Sequence, residues 1–214
     1  MLERQREQLV HHARRLRADG LVVGMSGNLS VRSGELVAVT PSAVDYDALE
    51  PGLVCVVGLD GSPVEGTLAP TTELPMHLAV YRRTSAAAVV HTHSPYATVL
   101  STVVDALPPI HYLLAALGGP VRVAPYATPG TNNLAEAILG ALEGRSGALL
   151  QNHGALTTGE SLEEAYARSV TLEWLCALYY RATLFGEPRV LPDEEMDEVA
   201  RLMQTYGRSS RASD

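Results

Sequence analysis

From Leu2 to Asp19 apolar residues recur at helical spacing. Leu2, Leu9, Val10, Ala13 and Leu16 share one side, and Gly20 follows as a stop. His11 and His12 fall on the polar side of this predicted helix, where solvation is expected. Between Leu21 and Val57 the pattern breaks into short β pieces divided by Gly24, Gly27, Gly34, Pro41-Ser42 and Pro51-Gly52. Val54 to Leu59 reads as a strand, with Asp60-Gly61 as a hairpin turn. Helical spacing returns after Thr71-Thr72-Glu73 and runs to about Arg83. Pro75 sits in its first turn, where the missing N–H costs nothing.

The run Ala86-Ala87-Ala88-Val89-Val90-His91-Thr92-His93 predicts a strand. Ser94-Pro95 reads as an N-cap and first-turn proline opening a helix to about Val104. Thr131 caps a helix through about Leu142, and Ala148 to Gln151 is another buried strand. Ser161-Leu162-Glu163-Glu164 is a capping box for a long helix to about Phe185, ended by Gly186. A last helix runs from Asp193 toward Gln204. With no repeat and no linker, this order predicts one α/β domain over residues 1–207, a largely antiparallel central sheet with helices on both faces. The polar segment 208–214 is expected to be a disordered tail.

Composition narrows the function. A net charge of −8 argues against nucleic acid as a partner, which calls for a basic patch. It leaves room for an anionic metabolite held by backbone N–H groups. All 16 basic residues are arginine, so a lysine Schiff base is impossible. Cys55 and Cys176, far apart in apolar contexts, read as buried thiols of a reducing compartment. Charges at the N-terminus where a signal peptide needs apolar residues, and no apolar run long enough for a bilayer, predict a cytoplasmic protein without membrane contact.

Candidate chemistry lies at strand ends. Residues i and i+2 of a strand share a face, so the imidazoles of His91 and His93 converge. Alone, the pair reads equally as one buried and one exposed histidine. His153, in Gln151-Asn152-His153-Gly154, ends a second apolar strand, with the glycine placed for a tight turn. Three neutral nitrogens with an open fourth position describe a catalytic rather than a structural zinc site. Glu73, at a helix start that favours negative charge, is the best acid–base candidate, although alone it is more often a surface residue. Thr71 and Thr72 beside it, Ser26-Gly27-Asn28 and Thr40-Pro41-Ser42-Ala43 are candidate anion nests. His77 and His111 read as structural.

Ser26-Gly27-Asn28-Leu29-Ser30, Thr40-Pro41-Ser42, Pro70-Thr71-Thr72-Glu73, His91-x-His93 and Asn152-His153-Gly154, in that order, resemble the motif set of class II aldolase/adducin-domain proteins. The resemblance covers nearly the whole chain and is closest to L-fuculose-1-phosphate and deoxypentulose-phosphate aldolases. It extends to Ile110-His111-Tyr112, Pro125-Tyr126-Ala127-Thr128 and Thr205-Tyr206-Gly207. It implies that His91, His93 and His153 hold Zn²⁺, one ion per subunit, or another divalent first-row metal. Glu73 would complete the coordination and shuttle a proton. Asn28, Ser42, Thr71, Thr72 and the Ala43 N–H would bind phosphate, with Ser26 and Gly27 in the same loop. Tyr112 would reach in from a neighbouring subunit of a homotetramer with active sites between subunits, and Tyr206 would close the site. The implied substrate is a phosphorylated ketose, cleaved to dihydroxyacetone phosphate and an aldehyde.

Three departures from the family pattern stand out. Ala43 replaces a usual glycine, which is tolerable only if the backbone there does not need positive φ. Thr71-Thr72 replaces a serine pair and keeps the hydroxyls. Pro129 replaces an aromatic residue that faces the aldehyde. Rival readings within the family are a sugar-phosphate 4-epimerase, a dehydratase and a decarboxylase; epimerases generally carry aspartate at the Glu73 position. A non-enzymatic adducin-like domain would tend to lack the full ligand set that this chain keeps.

Overall fold

The computed structural model describes the backbone of residues 1–209 and the side chains of residues 1–203. Nine strands form one sheet: β1 (Asn28–Ser33), β2 (Leu36–Val39), β3 (Cys55–Gly58), β4 (Pro63–Glu65), β5 (Ala88–Thr92), β6 (Ala106–Leu107), β7 (Val121–Ala124), β8 (Gly147–Leu150) and β9 (Gly154–Gly159). Their order is β4-β3-β2-β1-β5-β9-β8-β7-β6. Every neighbouring pair is antiparallel except β7 and β8, which run parallel. This is the expected mixed fold with a largely antiparallel sheet.

Among the described residues there are six α-helices, α1 (Glu3–Ala18), α2 (Leu74–Arg83), α3 (Pro95–Ser101), α4 (Asn132–Leu142), α5 (Leu162–Thr183) and α6 (Asp193–Ser209), and α1, α2, α4 and α5 cover the two faces of the sheet. On one face Leu9, Ala13 and Leu16 of α1 and Tyr166 of α5 pack on Leu29, Val31 and Val90. On the other, Met76, Val80 and Tyr81 of α2 and Leu134 and Ile138 of α4 pack on Val37, Val39, Val89 and Leu156. Consecutive residues of β5 therefore feed opposite cores, and all five are buried. Strands covered on both faces lose the apolar–polar alternation and read as continuous apolar runs.

Several details differ from the sequence reading. His12 is buried, not solvated: Glu163, on the distant α5, takes its Nε2 at 2.8 Å, and Tyr166 packs on its ring. The apolar loop around Tyr112, quoted above only for its resemblance, is anchored in the domain's own core. A 3₁₀ turn over Tyr112–Leu117 buries Leu114 and Leu117 completely beneath α5. The tight turn at His153 is made by Asn152, at φ 54°, rather than by Gly154. Gly154 is needed for closeness instead, since a Cβ there would sit 2.2 Å from the Thr92 carbonyl oxygen. Helix α6 runs to Ser209, so most of the expected tail, residues 210–214, lies outside the described residues. Among the described residues no helix is long and apolar enough to cross a membrane.

Candidate active site

The end of the sheet where β1 starts and β5 stops gathers the chemistry. Asn28 is paired with His91 across β1 and β5. Thr92 faces Ala155 across β5 and β9, and the β8–β9 turn carries His153 beside them. Gly27 approaches β5 so closely that a Cβ would lie 2.8 Å from the His91 carbonyl oxygen. The start of α2 then sets Glu73 over the strand ends, where Glu73 is the helix's N-cap residue.

Glu73, His91, His93 and His153 offer ligand atoms that all lie within 4.8 Å of one another. Their rings meet edge to face, with centroids 4.8–4.9 Å apart. His91 Nδ1 donates to the Ala155 carbonyl at 2.9 Å, which turns Nε2 inward. A carbonyl can only accept, so this second partner fixes the ring's orientation as it does for metal-bound histidines. His91 Nε2 then meets His93 Nε2 and Glu73 Oε2, each at 3.0 Å. His153 Nε2 lies 3.3 Å from Glu73 Oε1. Glu73 Oε1 is buried without a hydrogen-bond partner.

The electrostatics suit a cation. Burial and the nearby His91 push His93 and His153 each down to about 4. Burial alone would raise the Glu73 carboxyl, but the charge and hydrogen bond of His91, then Asn28 and His153, outweigh it, and the net direction is well below the usual carboxylate range. At neutral pH the cluster therefore presents neutral His93 and His153 imidazoles and an ionised Glu73 carboxylate. That donor set, buried and convergent, fits a first-row divalent metal.

The candidate anion residues lie at the same end. The loop after β2 is tied to the segment before α2 by Ser42 N–H to Ala69 O (2.9 Å) and Thr71 N–H to Thr40 O (3.1 Å). Thr40 Oγ1 accepts from Leu29 N–H at 3.1 Å, which binds that loop to β1. Ala43 is in the left-handed region, φ 56°, so the backbone does take the conformation that favours glycine. The condition set by the sequence reading is not met: Ala43 is exposed and holds this conformation at a cost of about 1–2 kcal/mol. Ser26 turns its hydroxyl onto Val23 within its own turn. Thr72 is exposed and Thr71 buried, its Oγ1 accepting from Glu73 N–H.

Two candidates stand apart. Tyr112 is half exposed and stacks on His111, and no described contact joins it to His91, His93 or His153 of its own chain. Tyr206 falls on α6 beyond the described side chains. Three residues that sequence reading passed over support the site. Tyr46 donates to Gly27 O at 2.5 Å and holds the 26–28 loop. Gln151 accepts from Tyr126 N–H at 2.9 Å. His77, read as a structural histidine, is fully buried and touches Asn28 directly. Its spacing of four from Glu73 was the available signal, since it puts both on one face of α2.

The family model described as Class II Aldolase and Adducin N-terminal domain matches residues 7–180. The 5-deoxy-D-ribulose 1-phosphate aldolase of Bacillus thuringiensis serovar kurstaki is 37% identical over 211 residues, 97% of this chain and 99% of that protein. The L-fuculose phosphate aldolase of Escherichia coli K12 is 38% identical over 191 residues, 88% of each chain. A solved L-fuculose 1-phosphate aldolase superposes with a TM-score of 0.92 at 39% identity, covering 94% of this chain and 96% of its own. A four-residue Glu/His cluster at the sheet end, on a fold and sequence shared with these proteins, leads to one conclusion: the chain belongs to the class II aldolase/adducin family, and within it to the aldolases, which are lyases.

Proposed function

We propose that the protein is a zinc-dependent aldolase that reversibly cleaves a ketose 1-phosphate, of the L-fuculose or 5-deoxyribulose kind, to dihydroxyacetone phosphate and an aldehyde. The observation that carries this reading is the convergence of His91, His93, His153 and Glu73 within 4.8 Å. Relatives named for both substrates, at 37% and 38% identity, support the substrate class.

His91, His93 and His153 with Glu73 would hold the metal. Bound there, it supplies a Lewis acid for the charge that develops on the ketose oxygens as the C3–C4 bond breaks. Glu73 carries the proton to and from the carbon that loses the aldehyde. The phosphate binds Asn28, Ser42, Thr71, Thr72 and the Ala43 N–H, near the positive end of α2. Ser26 and Gly27 shape that loop. Tyr112 of a neighbouring subunit serves the aldehyde oxygen, in a homotetramer whose sites lie between subunits, and Tyr206 covers the site.

Both ketose 1-phosphates should be offered to the zinc-loaded protein and the products identified. Dihydroxyacetone phosphate with an aldehyde is expected. A 4-epimer, a dehydrated sugar or carbon dioxide as the sole product would replace this reading with another reaction.

A further inference from the structure

Asn28 and Ser30 are two apart on β1 and share a face. Glu73, His77 and Tyr81 are four apart, at the start of α2 and along it, and share another. The two rows interlock. Asn28 Nδ2 is 2.9 Å from Glu73 Oε2, and His77 Nε2 is 2.5 Å from Asn28 Oδ1. Ser30 Oγ is 2.6 Å from both His77 Nδ1 and the Tyr81 hydroxyl. All five residues are buried.

The direction of every bond follows from one end. An ionised carboxylate only accepts, so the Asn28 amide must present its NH₂ to Glu73 and its oxygen to His77. His77 must then carry its proton on Nε2 and accept on Nδ1. Ser30 therefore donates to His77, and Tyr81 donates to Ser30. Burial supports this: it drives His77 down to about 3, keeping the ring neutral, and it raises the Tyr81 phenol, keeping that donor protonated. The chain of donors runs Tyr81, Ser30, His77, Asn28, and terminates on Glu73 Oε2. Glu73 Oε1 accepts no hydrogen bond and has His153 Nε2 beside it at 3.3 Å.

We propose that His77 is a positioning residue that acts through Asn28, reserving Glu73 Oε2 as an acceptor and leaving Oε1 as the oxygen that takes up the proton. Without His77 the amide is free to turn its oxygen toward the carboxylate, which opposes both Glu73 and an incoming phosphate. The proposal rests on the reading of Glu73 as the proton carrier. The His77 ring hydrogen-bonds only Ser30 and Asn28 and none of the metal ligands, so its effect on Glu73 must disappear when Asn28 is absent.

The test is a double-mutant cycle of His77→Leu and Asn28→Ala, reading kcat, KM, zinc affinity by chelator competition, and Tm. Loss of a hydrogen bond to a charged group predicts that His77→Leu lowers kcat roughly tenfold and weakens zinc binding. In the Asn28→Ala background the same change should alter neither by more than about twofold, while Tm falls in both. His77→Gln, which keeps a donor within reach of Asn28, should restore most of kcat. If His77→Leu does not fold, Ser30→Ala replaces it with the same non-additive pattern expected. Losses that multiply in the double variant, or a fall in Tm with kcat and zinc affinity unchanged, would overturn the proposal. Failure of the wild type to cleave a ketose phosphate would defeat the functional reading instead, and the zinc-affinity cycle would still decide the role of His77.

Discussion

Glu73 Oε2 lies 3.0 Å from His91 Nε2, the one ring nitrogen that His91 does not spend on the backbone. With His93 Nε2 at the same distance, three electron-pair donors surround one point, where either a shared proton or a metal ion must sit. Zinc binding should therefore release a proton, about one per ion, because ligands bind deprotonated. Calorimetric titration in buffers of different ionisation enthalpy reads this directly. A binding enthalpy independent of buffer would mean that no proton leaves the cluster. His91→Ala should lose stoichiometric zinc.

Acid should destabilise the metal-free protein before any carboxylate titrates. His77 is held at about 3 and His93 and His153 at about 4, against 6.5 for each when unperturbed. Below 6.5 the unfolded chain takes up protons that the folded protein refuses, so stability falls as pH falls and rises as pH rises. For His77 the loss continues down to about 3. The Glu73 carboxyl, shifted down, adds its own loss only below its ordinary 4.5, so the window from 6.5 to 4.5 reports the histidines. Tm measured across that window should fall steadily, and less steeply in His77→Gln. A flat Tm there would contradict the burial of neutral imidazoles.

At Ala43 the strain of a left-handed alanine and the entropy gained by glycine in the unfolded chain nearly cancel. Ala43→Gly should change stability by less than about 1 kcal/mol, with KM preserved. Ala43→Val cannot hold φ 56° without greater strain, and should raise KM for the phosphorylated substrate far more than it lowers kcat. An unchanged KM in the valine variant would remove the Ala43 N–H from the phosphate site.

Tyr112 keeps half its surface open although its loop is anchored in the core through Leu114 and Leu117. It has no described contact with His91, His93 or His153 of its own chain, and in the proposed tetramer it would serve a neighbour's site. Inactive Tyr112→Phe mixed with inactive Glu73→Gln under subunit exchange should regain up to about a quarter of wild-type sites in a cyclic assembly. No recovery despite proven exchange, or a fully active monomer by light scattering, would contradict a shared site.

The fold class and the metal cluster were legible because both leave local marks. A histidine pair two apart at the end of an apolar run, a third histidine ending another and a glutamate at a helix start are ambiguous singly and gain their meaning as an ordered set. What escaped depends on distant partners. His12 sits on the polar side of α1 by periodicity and is buried only because α5 covers it. The strand Gly154–Gly159, rich in glycine and threonine, carries no apolar run, and two flanking strands bury it all the same. His77 looked structural because its partner Ser30 lies 47 positions away.

Glu73 as the proton carrier at a metal-dependent site is most directly tested by hydrogen exchange into dihydroxyacetone phosphate in deuterated water, a half-reaction that needs no aldehyde and so does not depend on its identity. The zinc-loaded protein should replace one hydrogen of the hydroxymethyl carbon with deuterium, read by proton NMR. Zinc-free protein should not, and zinc-loaded Glu73→Gln should exchange on the order of 10²–10⁴ times more slowly. Exchange by Glu73→Gln at the wild-type rate, with its zinc retained, would contradict the account.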